Sequence, residues 1–376
     1  MGSCLCRGAI SAKDEDSHSS RGAIPSNEEG SGRGRSLSGG AMGSEDEDNG
    51  SGSSSSLSLS AFASTFNSGP LMVGMNDFVR MQDHGNCYWV YAAFSESERF
   101  LALDIYENTY VRLPNHHMIA GQTPASTVSD GKLFVIGGTT SQSFQFFDPV
   151  LINWSQTYST IKTRDGAVAA SIDGKVYVFG GHERGLNDWG EVYDECANTR
   201  TPTPIPASEV LKEENFADLF PLLTSAVLGK KIIIRGFGNG IAFDVMSNSW
   251  TQVSQNLISG WRDLSTAAVV QNMLITSHAV DGQLSIGAYD PDQDVWLMLE
   301  GIDPSFHENA SRSKFMAVNG KLVIYYIADE NDLRFSIIEI NEKLRTTVKA
   351  NLLRQSRFPI ATIIEPGNHS MLQGSF

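Results

Sequence analysis

The hydrophobic residues between positions 165 and 203 fall into short runs separated by polar turns. Residues 167–171 and 176–179 form two runs rich in small, β-branched and aromatic side chains, joined by a glycine-containing turn. A third run at 192–194 follows a polar loop, and a short polar segment completes the set. Runs of this length between turn residues predict four β-strands in one antiparallel sheet. Because such a sheet buries too little apolar surface to be stable alone, the chain is expected to contain copies of it.

Copies of this unit are marked by an aspartate that follows an apolar residue at the end of the predicted third strand. Five such aspartates lie 44 to 50 residues apart, and a degenerate sixth copy has Asn341 at this position. Four of the aspartates are followed six positions later by an aromatic residue. A period of roughly 40–50 residues with four strands per unit is typical of a β-propeller. The aspartates are Asp104, Asp148, Asp194, Asp244 and Asp290, and the aromatic residues are Tyr110, Trp154, Trp250 and Trp296.

Each marker has a physical reason to recur. An aspartate carboxylate can accept hydrogen bonds from the backbone N–H groups that follow it, which fixes the turn between the third and fourth strands. The aromatic ring then lies where it can pack against the neighbouring unit. A pair of glycines ends the second strand in two units, at a place where a Cβ atom would obstruct the backbone. These pairs are Gly137-Gly138 and Gly180-Gly181.

These features resemble the kelch repeat. The glycine pairs stand in the sequences VIGG at 135–138 and VFGG at 178–181, and the resemblance extends over residues 87–366. It implies an all-β chain that forms a six-bladed kelch-type β-propeller with four antiparallel strands in each blade. The first unit lacks the small-residue strand that opens the others, whereas residues 358–364 predict a strand without a successor. We therefore expect this C-terminal strand to join the first blade and close the ring.

Composition divides the sequence into four regions. Residues 1–68 are rich in Gly, Ser and acidic residues, and they predict a disordered tail because they can bury too little apolar surface to fold. Residues 69–86 form a lead-in, with a helical turn expected at 75–81. Residues 87–366 form the propeller, and residues 367–376 a disordered C-terminus. Apolar residues at helical spacing predict a helix at 208–219, which either packs on one face or protrudes toward a partner.

Charge and cysteine content narrow the functional classes. The chain of 376 residues has a formal net charge of −15, which disfavours broad contact with nucleic-acid phosphates. Its four cysteines show neither metal-ligand spacing nor a disulfide framework, so a cytoplasmic or nuclear location is expected. The sequence contains no apolar run of the length that predicts a membrane span.

Two alternatives stand for the N-terminus. Gly2 follows the initiator methionine, which permits N-myristoylation, and Cys4 and Cys6 offer sites for palmitate as the second anchor that stable attachment needs. This hypothesis predicts peripheral membrane association. The alternative is an unmodified, disordered terminus.

Arginines that precede predicted first strands carry the expected binding chemistry. The planar guanidinium group suits carboxylate and phosphate partners, and the repeated positions predict one cationic face. Kelch proteins that recognise acidic peptides use arginines in similar loops, so the resemblance implies a protein partner with an acidic or phosphorylated segment. The alternative is that each arginine pairs with an acid of its own blade, such as Asp165 or Asp263. The predicted contact residues are Arg164, Arg262, Arg312 and Arg357, together with the adjacent Trp261.

The motifs point away from an enzyme. The eight histidines are scattered, and neither GxSxG nor HExxH occurs. Kelch-like copper-radical oxidases need a Cys–Tyr crosslink, whereas Cys87 and Cys196 are expected to be buried structural thiols. The Glu-x3-Asp-x3-His iron motif of plant specifier proteins is absent from the sequence. We therefore expect no catalytic residue, no cofactor and no metal site.

The degenerate repeats and the segment at 76–114 resemble the plant F-box/kelch-repeat family. In that family a helical F-box precedes the propeller and docks it to a ubiquitin-ligase scaffold, but the first 68 residues here show no amphipathic helical pattern. Three functions follow in order. The first is a non-enzymatic protein-interaction module that binds a partner through the arginine-bearing face. The second is a substrate-recognition adaptor of an SCF-type E3 ubiquitin ligase, working with cullin-based subunits. The third is a small-molecule enzyme that uses the central pocket.

Overall fold

The computed structural model describes the strands and turns of one unit, Ala63–Phe376. The described residues are 71–74, 89–94, 99–114, 124–137, 142–181, 189–194, 202–205, 207, 209, 223–262, 266–280, 283–302, 306, 309, 311–328 and 332–359. Their regular structure is almost entirely β-strand, as the sequence predicts, with one short helix, α1 (Gln255–Gly260). The helices predicted at 75–81 and 208–219 lie outside the described residues, apart from Glu209.

Strands β1 to β16 form four antiparallel sheets of four strands each, and in every sheet the strands pair in chain order. The first sheet contains β1 (Leu71–Gly74), β2 (Trp89–Phe94), β3 (Arg99–Asp104) and β4 (Thr109–Arg112). The second contains β5 (Ala125–Ser129), β6 (Lys132–Ile136), β7 (Ser143–Asp148) and β8 (Asn153–Ser159). The third contains β9 (Val168–Ile172), β10 (Lys175–Phe179), β11 (Gly190–Asp194) and β12 (Thr203–Ile205). The fourth contains β13 (Thr224–Leu228), β14 (Lys231–Arg235), β15 (Gly240–Asp244) and β16 (Ser249–Gln252).

The last eight strands form two further four-strand units that share one sheet. The fifth unit contains β17 (Ala267–Val270), β18 (Met273–Val280), β19 (Gln283–Asp290) and β20 (Val295–Glu300). The sixth contains β21 (Lys314–Val318), β22 (Lys321–Ala328), β23 (Asp332–Lys343) and β24 (Thr347–Pro359). The two units join where Met298, Leu299 and Glu300 of β20 pair in parallel with Thr347, Val348 and Lys349 of β24.

The hydrophobic core lies between neighbouring units. Strand β6 shows why its sequence is a continuous apolar run: Leu133 and Val135 pack against the first sheet, whereas Phe134 and Ile136 pack against the third. Alternate side chains of a strand point to opposite faces, so a strand covered on both faces needs apolar residues at every position. Equivalent clusters join the third sheet to the fourth, the fourth to the fifth unit and the fifth to the sixth.

The sixth unit also packs against the first sheet. Their shared cluster includes Val90 and Leu103 on one side and Val323 and Phe335 on the other. The first strands of successive units contact one another, and β1 contacts both β5 and β21.

The prediction that residues 358–364 supply the first strand of the N-terminal sheet is wrong. Leu71–Gly74 takes that place and pairs with β2. Phe358 and Pro359 instead continue β24 and pair with Leu333 and Asp332 of β23, because the strand runs on without a turn. Residues 360–364 lie outside the described residues.

The aspartate turns are confirmed where the structure describes them. One carboxylate oxygen accepts hydrogen bonds from the backbone N–H groups two and three positions later, which holds the turn between the third and fourth strands. These bonds run to Asp104 from Tyr106 (3.0 Å) and Glu107 (3.0 Å), to Asp148 from Val150 (2.8 Å) and Leu151 (3.2 Å), and to Asp244 from Met246 (2.9 Å) and Ser247 (3.1 Å). Asp290 accepts one such bond, from Asp292 at 3.1 Å. The turn after Asp194 lies outside the described residues.

The aromatic markers pack against the preceding unit, as expected. Trp154 lies 4.9 Å, between ring centroids, from Phe100 of the first sheet. Trp250 lies 5.2 Å from Phe179 of the third sheet, measured in the same way. The indole N–H groups of Trp154 and Trp296 donate to backbone carbonyl oxygens in the connection that precedes their own unit, at 3.1 Å and 2.7 Å. Each ring therefore fixes the spacing between two units.

One aspartate turn contains a strained residue. The position four after the aspartate has a positive φ in each described turn, and it is occupied by Asn108 (60°), Asn248 (52°) and Asp294 (55°) in three of them. The second sheet has Ile152 there, with φ at 50°. Asparagine and aspartate tolerate this left-handed conformation, whereas a β-branched side chain is strained in it.

Replacing Ile152 with asparagine is expected to stabilise the protein by about 1 kcal/mol, because the substitution removes this strain from a side chain that is already exposed. The measurement is urea-induced unfolding followed by tryptophan fluorescence. The matched control, Asn248→Ile, places the same strain in the fourth sheet and is expected to cost a similar amount. A loss of stability in Ile152→Asn would contradict the strain argument.

Candidate functional site

The arginines selected from the sequence lie at one end of their units. We call this end the loop face: it is the end at which each first strand begins and each second strand ends. The strand register defines it, since Thr224 at the start of β13 pairs with Arg235 at the end of β14. Arg164, Arg262 and Arg312 stand just before β9, β17 and β21, so all three belong to this end.

Arg164 is buried and does not reach the surface. Its side chain is 0% exposed, and its Nε donates to the equally buried carboxylate of Glu191. Its Nη1 donates to the carbonyl oxygens of Gly180 at 2.6 Å and Trp189 at 3.2 Å. The prediction that Arg164 contacts a partner is therefore wrong. The alternative, an internal ion pair, is correct in kind, but the acid is Glu191 rather than Asp165.

Arg262 lies beside a second cationic residue that the sequence reasoning missed. Both Arg262 and Lys314 are half-buried. Burial, and then the positive charge of the nearby Arg262, lowers the pKa of the Lys314 ammonium group. The backbone N–H of Phe315 donates to the hydroxyl of Thr266 at 2.7 Å, which holds the start of β21 against the segment that leads into β17. Two positive charges are thus held close together on the loop face.

Arg312 extends the positive charge outward from this pair. Its side chain is exposed, and its backbone N–H donates to the carbonyl oxygen of Asn309 at 2.9 Å. Since only one residue separates Arg312 from Lys314, the start of β21 presents one exposed and one half-buried cation.

Arg357 lies at the same end but on an outer strand. It belongs to β24, the fourth strand of its unit, so the prediction that it precedes an innermost strand is wrong. Its guanidinium group is 65% exposed and pairs with Asp332, the residue that begins β23, at 2.5 Å. An exposed ion pair of this kind leaves the arginine accessible but partly neutralised.

Both aromatic residues expected beside the arginines are buried. Trp261 is 1% exposed, follows helix α1 and packs in the core between the fourth and fifth units. Phe358 is 2% exposed and packs edge-to-face on Phe335, with ring centroids 5.7 Å apart. Neither ring is available to a partner, so the prediction that Trp261 is a contact residue is wrong.

Helix α1 positions the segment that carries Arg262. Asp294 accepts hydrogen bonds from the hydroxyl groups of Ser254 (2.5 Å) and Tyr289 (2.6 Å) and from the side-chain amide of Asn256 (3.0 Å). The bond from Ser254, followed by the bond from Tyr289, lowers the pKa of this carboxyl group. The start of the helix is therefore fixed to the fifth unit, and the helix ends directly before Trp261 and Arg262.

The loop face also carries an exposed aromatic residue that the sequence reasoning missed. Phe237 is 56% exposed and lies between β14 and β15, with a glycine on each side. An isolated apolar residue in a loop has no periodicity that could identify it, and the flanking glycines indicate only a turn.

The comparisons with known proteins meet at the third sheet. Residues 163–206 match the kelch motif family model. The chain contains a kelch repeat. It is 30% identical over 212 residues to a putative F-box/kelch-repeat protein of Arabidopsis thaliana, a match that covers 53% of this chain and 52% of that protein. It is 27% identical over 242 residues to another Arabidopsis F-box/kelch-repeat protein, which covers 61% of this chain and 56% of the relative. The chain thus spans about half the length of these curated relatives.

The solved structure of YjhT is also similar, with a TM-score of 0.48 and 13% sequence identity. The match covers 74% of this chain and 96% of YjhT.

The matched kelch repeat contains the whole buried arrangement around Arg164. Its glycine pair, Gly180-Gly181, has φ values of 70° and 75°, and the carbonyl of Gly180 accepts from Arg164. The second carboxylate oxygen of Glu191 accepts from the backbone N–H of Ile161 at 2.9 Å. The loop that enters the kelch repeat is therefore fixed by a buried charge pair, and this gives Arg164 a structural role.

Several predicted residues cannot be placed. Gly2, Cys4, Cys6, Cys87, Gly138 and Cys196 lie outside the described residues, so acylation stays a prediction. Within the described ranges, no three His, Cys, Asp or Glu side chains come close enough together to hold a metal ion. In the same part of the chain, no helix has the length and hydrophobicity needed to cross a membrane.

Proposed function

We propose that the chain is a closed, six-bladed kelch propeller whose loop face binds a protein partner. The six-blade arrangement is supported by the contacts of β1 with β5 and β21 and by the core shared between the first sheet and the sixth unit. Closure of this kind leaves no open sheet edge between the first and last blades. In the proposed ring, packing of the sixth blade against the first replaces the strand exchange expected from the sequence.

The observation that carries the binding proposal is the cluster of Arg262, Lys314 and Arg312 on the loop face. The chain as a whole is strongly acidic, with a net charge of −15, so a local group of cations is an electrostatic exception. Guanidinium groups bind carboxylates and phosphates with two parallel hydrogen bonds. We infer that the partner offers an acidic or phosphorylated segment. No cofactor or catalytic residue enters this proposal, which treats the chain as a non-enzymatic interaction module.

Replacing Arg262 and Arg312 together with alanine is expected to weaken partner binding at least tenfold, because both side chains are accessible cations at the proposed contact. The measurement is quantitative affinity capture with the full-length chain, comparing the amount of each protein retained by the wild type and by the variant. A specific partner is one whose recovery falls with the variant.

The matched control is Lys230→Ala with Lys231→Ala. It removes the same charge from two exposed lysines at the turn between β13 and β14, at the opposite end of the fourth sheet. Partner recovery should be unchanged in this control. Equal recovery with the wild type and the arginine variant would contradict the proposed binding face.

A second candidate function is substrate recognition for an SCF-type ubiquitin ligase. It is favoured by the names of the Arabidopsis relatives, which are F-box/kelch-repeat proteins. In this role the loop face would bind the substrate, and a separate contact would recruit the ligase. Co-purification of a cullin and its adaptor subunit with the full-length chain would support it, and their absence would leave the interaction module alone.

A further inference from the structure

Phe237 differs from the other exposed apolar residues of the chain. Among the described side chains it is the one exposed aromatic ring, and it lies on the loop face. Val150, Leu151 and Met246 are more exposed, but they occupy turns between third and fourth strands, at the opposite end of their units. Aromatic residues are enriched among the side chains that contribute most to protein interfaces.

The loop that presents Phe237 is held in one conformation. The backbone N–H of Gly236 donates to the carbonyl oxygen of Asn239 at 3.0 Å, which closes a tight turn around the ring. Beneath the loop, the guanidinium group of Arg235 is 3% exposed and donates to the carbonyl oxygens of Gly236 and Asn239, the latter at 2.7 Å. Binding to a loop that is already ordered costs little conformational entropy.

The same guanidinium group ties this loop to the cationic cluster. Its second terminal nitrogen donates to the carbonyl oxygen of Trp261 at 3.3 Å. Arg262 is the next residue, and its own backbone N–H donates to the carbonyl oxygen of Ser277 at 3.3 Å. One buried arginine therefore positions both an exposed aromatic ring and the segment that carries a half-buried cation.

We propose that Phe237 and Arg262 form a two-part recognition site, which rests on the proposed binding role of the loop face. The partner is a peptide segment that covers the ring of Phe237 with apolar side chains and places a carboxylate at Arg262. The ring is the larger source of affinity, because covering it removes apolar surface from water, whereas the carboxylate sets the position of the segment. This combination selects segments in which acidic and bulky apolar residues lie close together.

The test selects a displayed library of random peptides on the full-length chain and removes sequences that also bind the Phe237→Ala variant. The surviving peptides should carry an acidic residue within a few positions of bulky apolar residues. A synthetic copy of an enriched peptide should bind Phe237→Ala and Arg262→Ala at least tenfold more weakly than the wild type, as measured by fluorescence anisotropy. It should bind the control Met246→Ala, which truncates an exposed apolar side chain at the opposite end, with unchanged affinity.

The remaining outcomes separate this inference from the proposed function. Loss of binding in Arg262→Ala but not in Phe237→Ala would overturn the inference and leave the cationic binding face intact. Loss in Phe237→Ala alone would overturn the shared site and the proposed role of the arginines. Enrichment of sequences from this chain itself would indicate self-association and would also overturn the proposal, as would failure to enrich any peptide against the Phe237→Ala variant. Unfolding midpoints equal to the wild type show that the variants are folded.

Discussion

Replacing Arg164 with alanine is expected to lower the free energy of unfolding by about 3–5 kcal/mol, although the residue lies in a loop. The substitution removes the partner of Glu191, whose carboxylate is completely buried and would be left with an uncompensated charge. It also removes the donors to the carbonyl oxygens of Gly180 and Trp189, which would remain buried. Urea-induced unfolding of the full-length chain, followed by tryptophan fluorescence, measures the loss.

Two comparisons isolate the buried pair. Arg345→Ala removes an exposed arginine and should change stability by no more than about 0.5 kcal/mol. The double variant Arg164→Met with Glu191→Leu removes both charges and should be clearly more stable than Arg164→Ala, because neither charge is left unpaired. A loss in Arg164→Ala as small as that in Arg345→Ala would show that Arg164 is not a structural residue, and its predicted role as a partner contact would return.

Replacing Gly181 with alanine is expected to cost about 2–4 kcal/mol. An added Cβ atom would lie 2.6 Å from the Cβ atom of Ala167 and 2.7 Å from its backbone nitrogen, so the entering loop would have to move. The glycine also has φ at 75°, a conformation that an alanine adopts only with strain. The same unfolding measurement applies.

The control for this prediction is Gly229→Ala. Gly229 also has a positive φ (61°), but an added Cβ atom there meets nothing within 4 Å. Its cost should therefore be the strain alone, about 1 kcal/mol. Equal losses in the two variants would mean that the contact with Ala167 is relieved without cost, and that the second glycine of the kelch pair is needed only for its backbone conformation.

The repeat pattern predicted much of the fold because each marker acts within its own unit or on the next one. Asp148 holds its turn through backbone groups two and three residues away, and Trp154 packs on the adjacent sheet. Such local interactions leave a regular trace in the sequence. Strand β1 was missed because four residues, Leu71–Gly74, are too few to stand out within a polar segment, although they complete the first sheet.

The candidate site was predicted less well, because burial of a polar residue depends on distant partners. Arg164 is separated by 27 positions from Glu191, and no spacing rule connects an arginine before a first strand with a glutamate in a third strand. Trp261 follows a short helix, absent from the prediction, that turns its ring into the core. Phe237 and Lys314 belong to the loop face through strand register, which becomes known only when the sheets are aligned.

The central claim is that the sixth unit packs against the first sheet and closes the ring. The most direct test joins the two by a covalent link. The side-chain oxygen of Asn108, in the turn between β3 and β4, accepts a hydrogen bond at 3.1 Å from the backbone N–H of Arg357, which lies 249 positions later.

In a chain whose four native cysteines are replaced by serine, Asn108→Cys with Arg357→Cys should be crosslinked within one molecule by a short bismaleimide, giving a shift in electrophoretic mobility. The control pair, Asn248→Cys with Arg357→Cys, uses the equivalent turn of the fourth sheet and should not be linked. Efficient linkage of the first pair alone is the predicted result. Absence of that link, or equal linkage of both pairs, would contradict the closed ring.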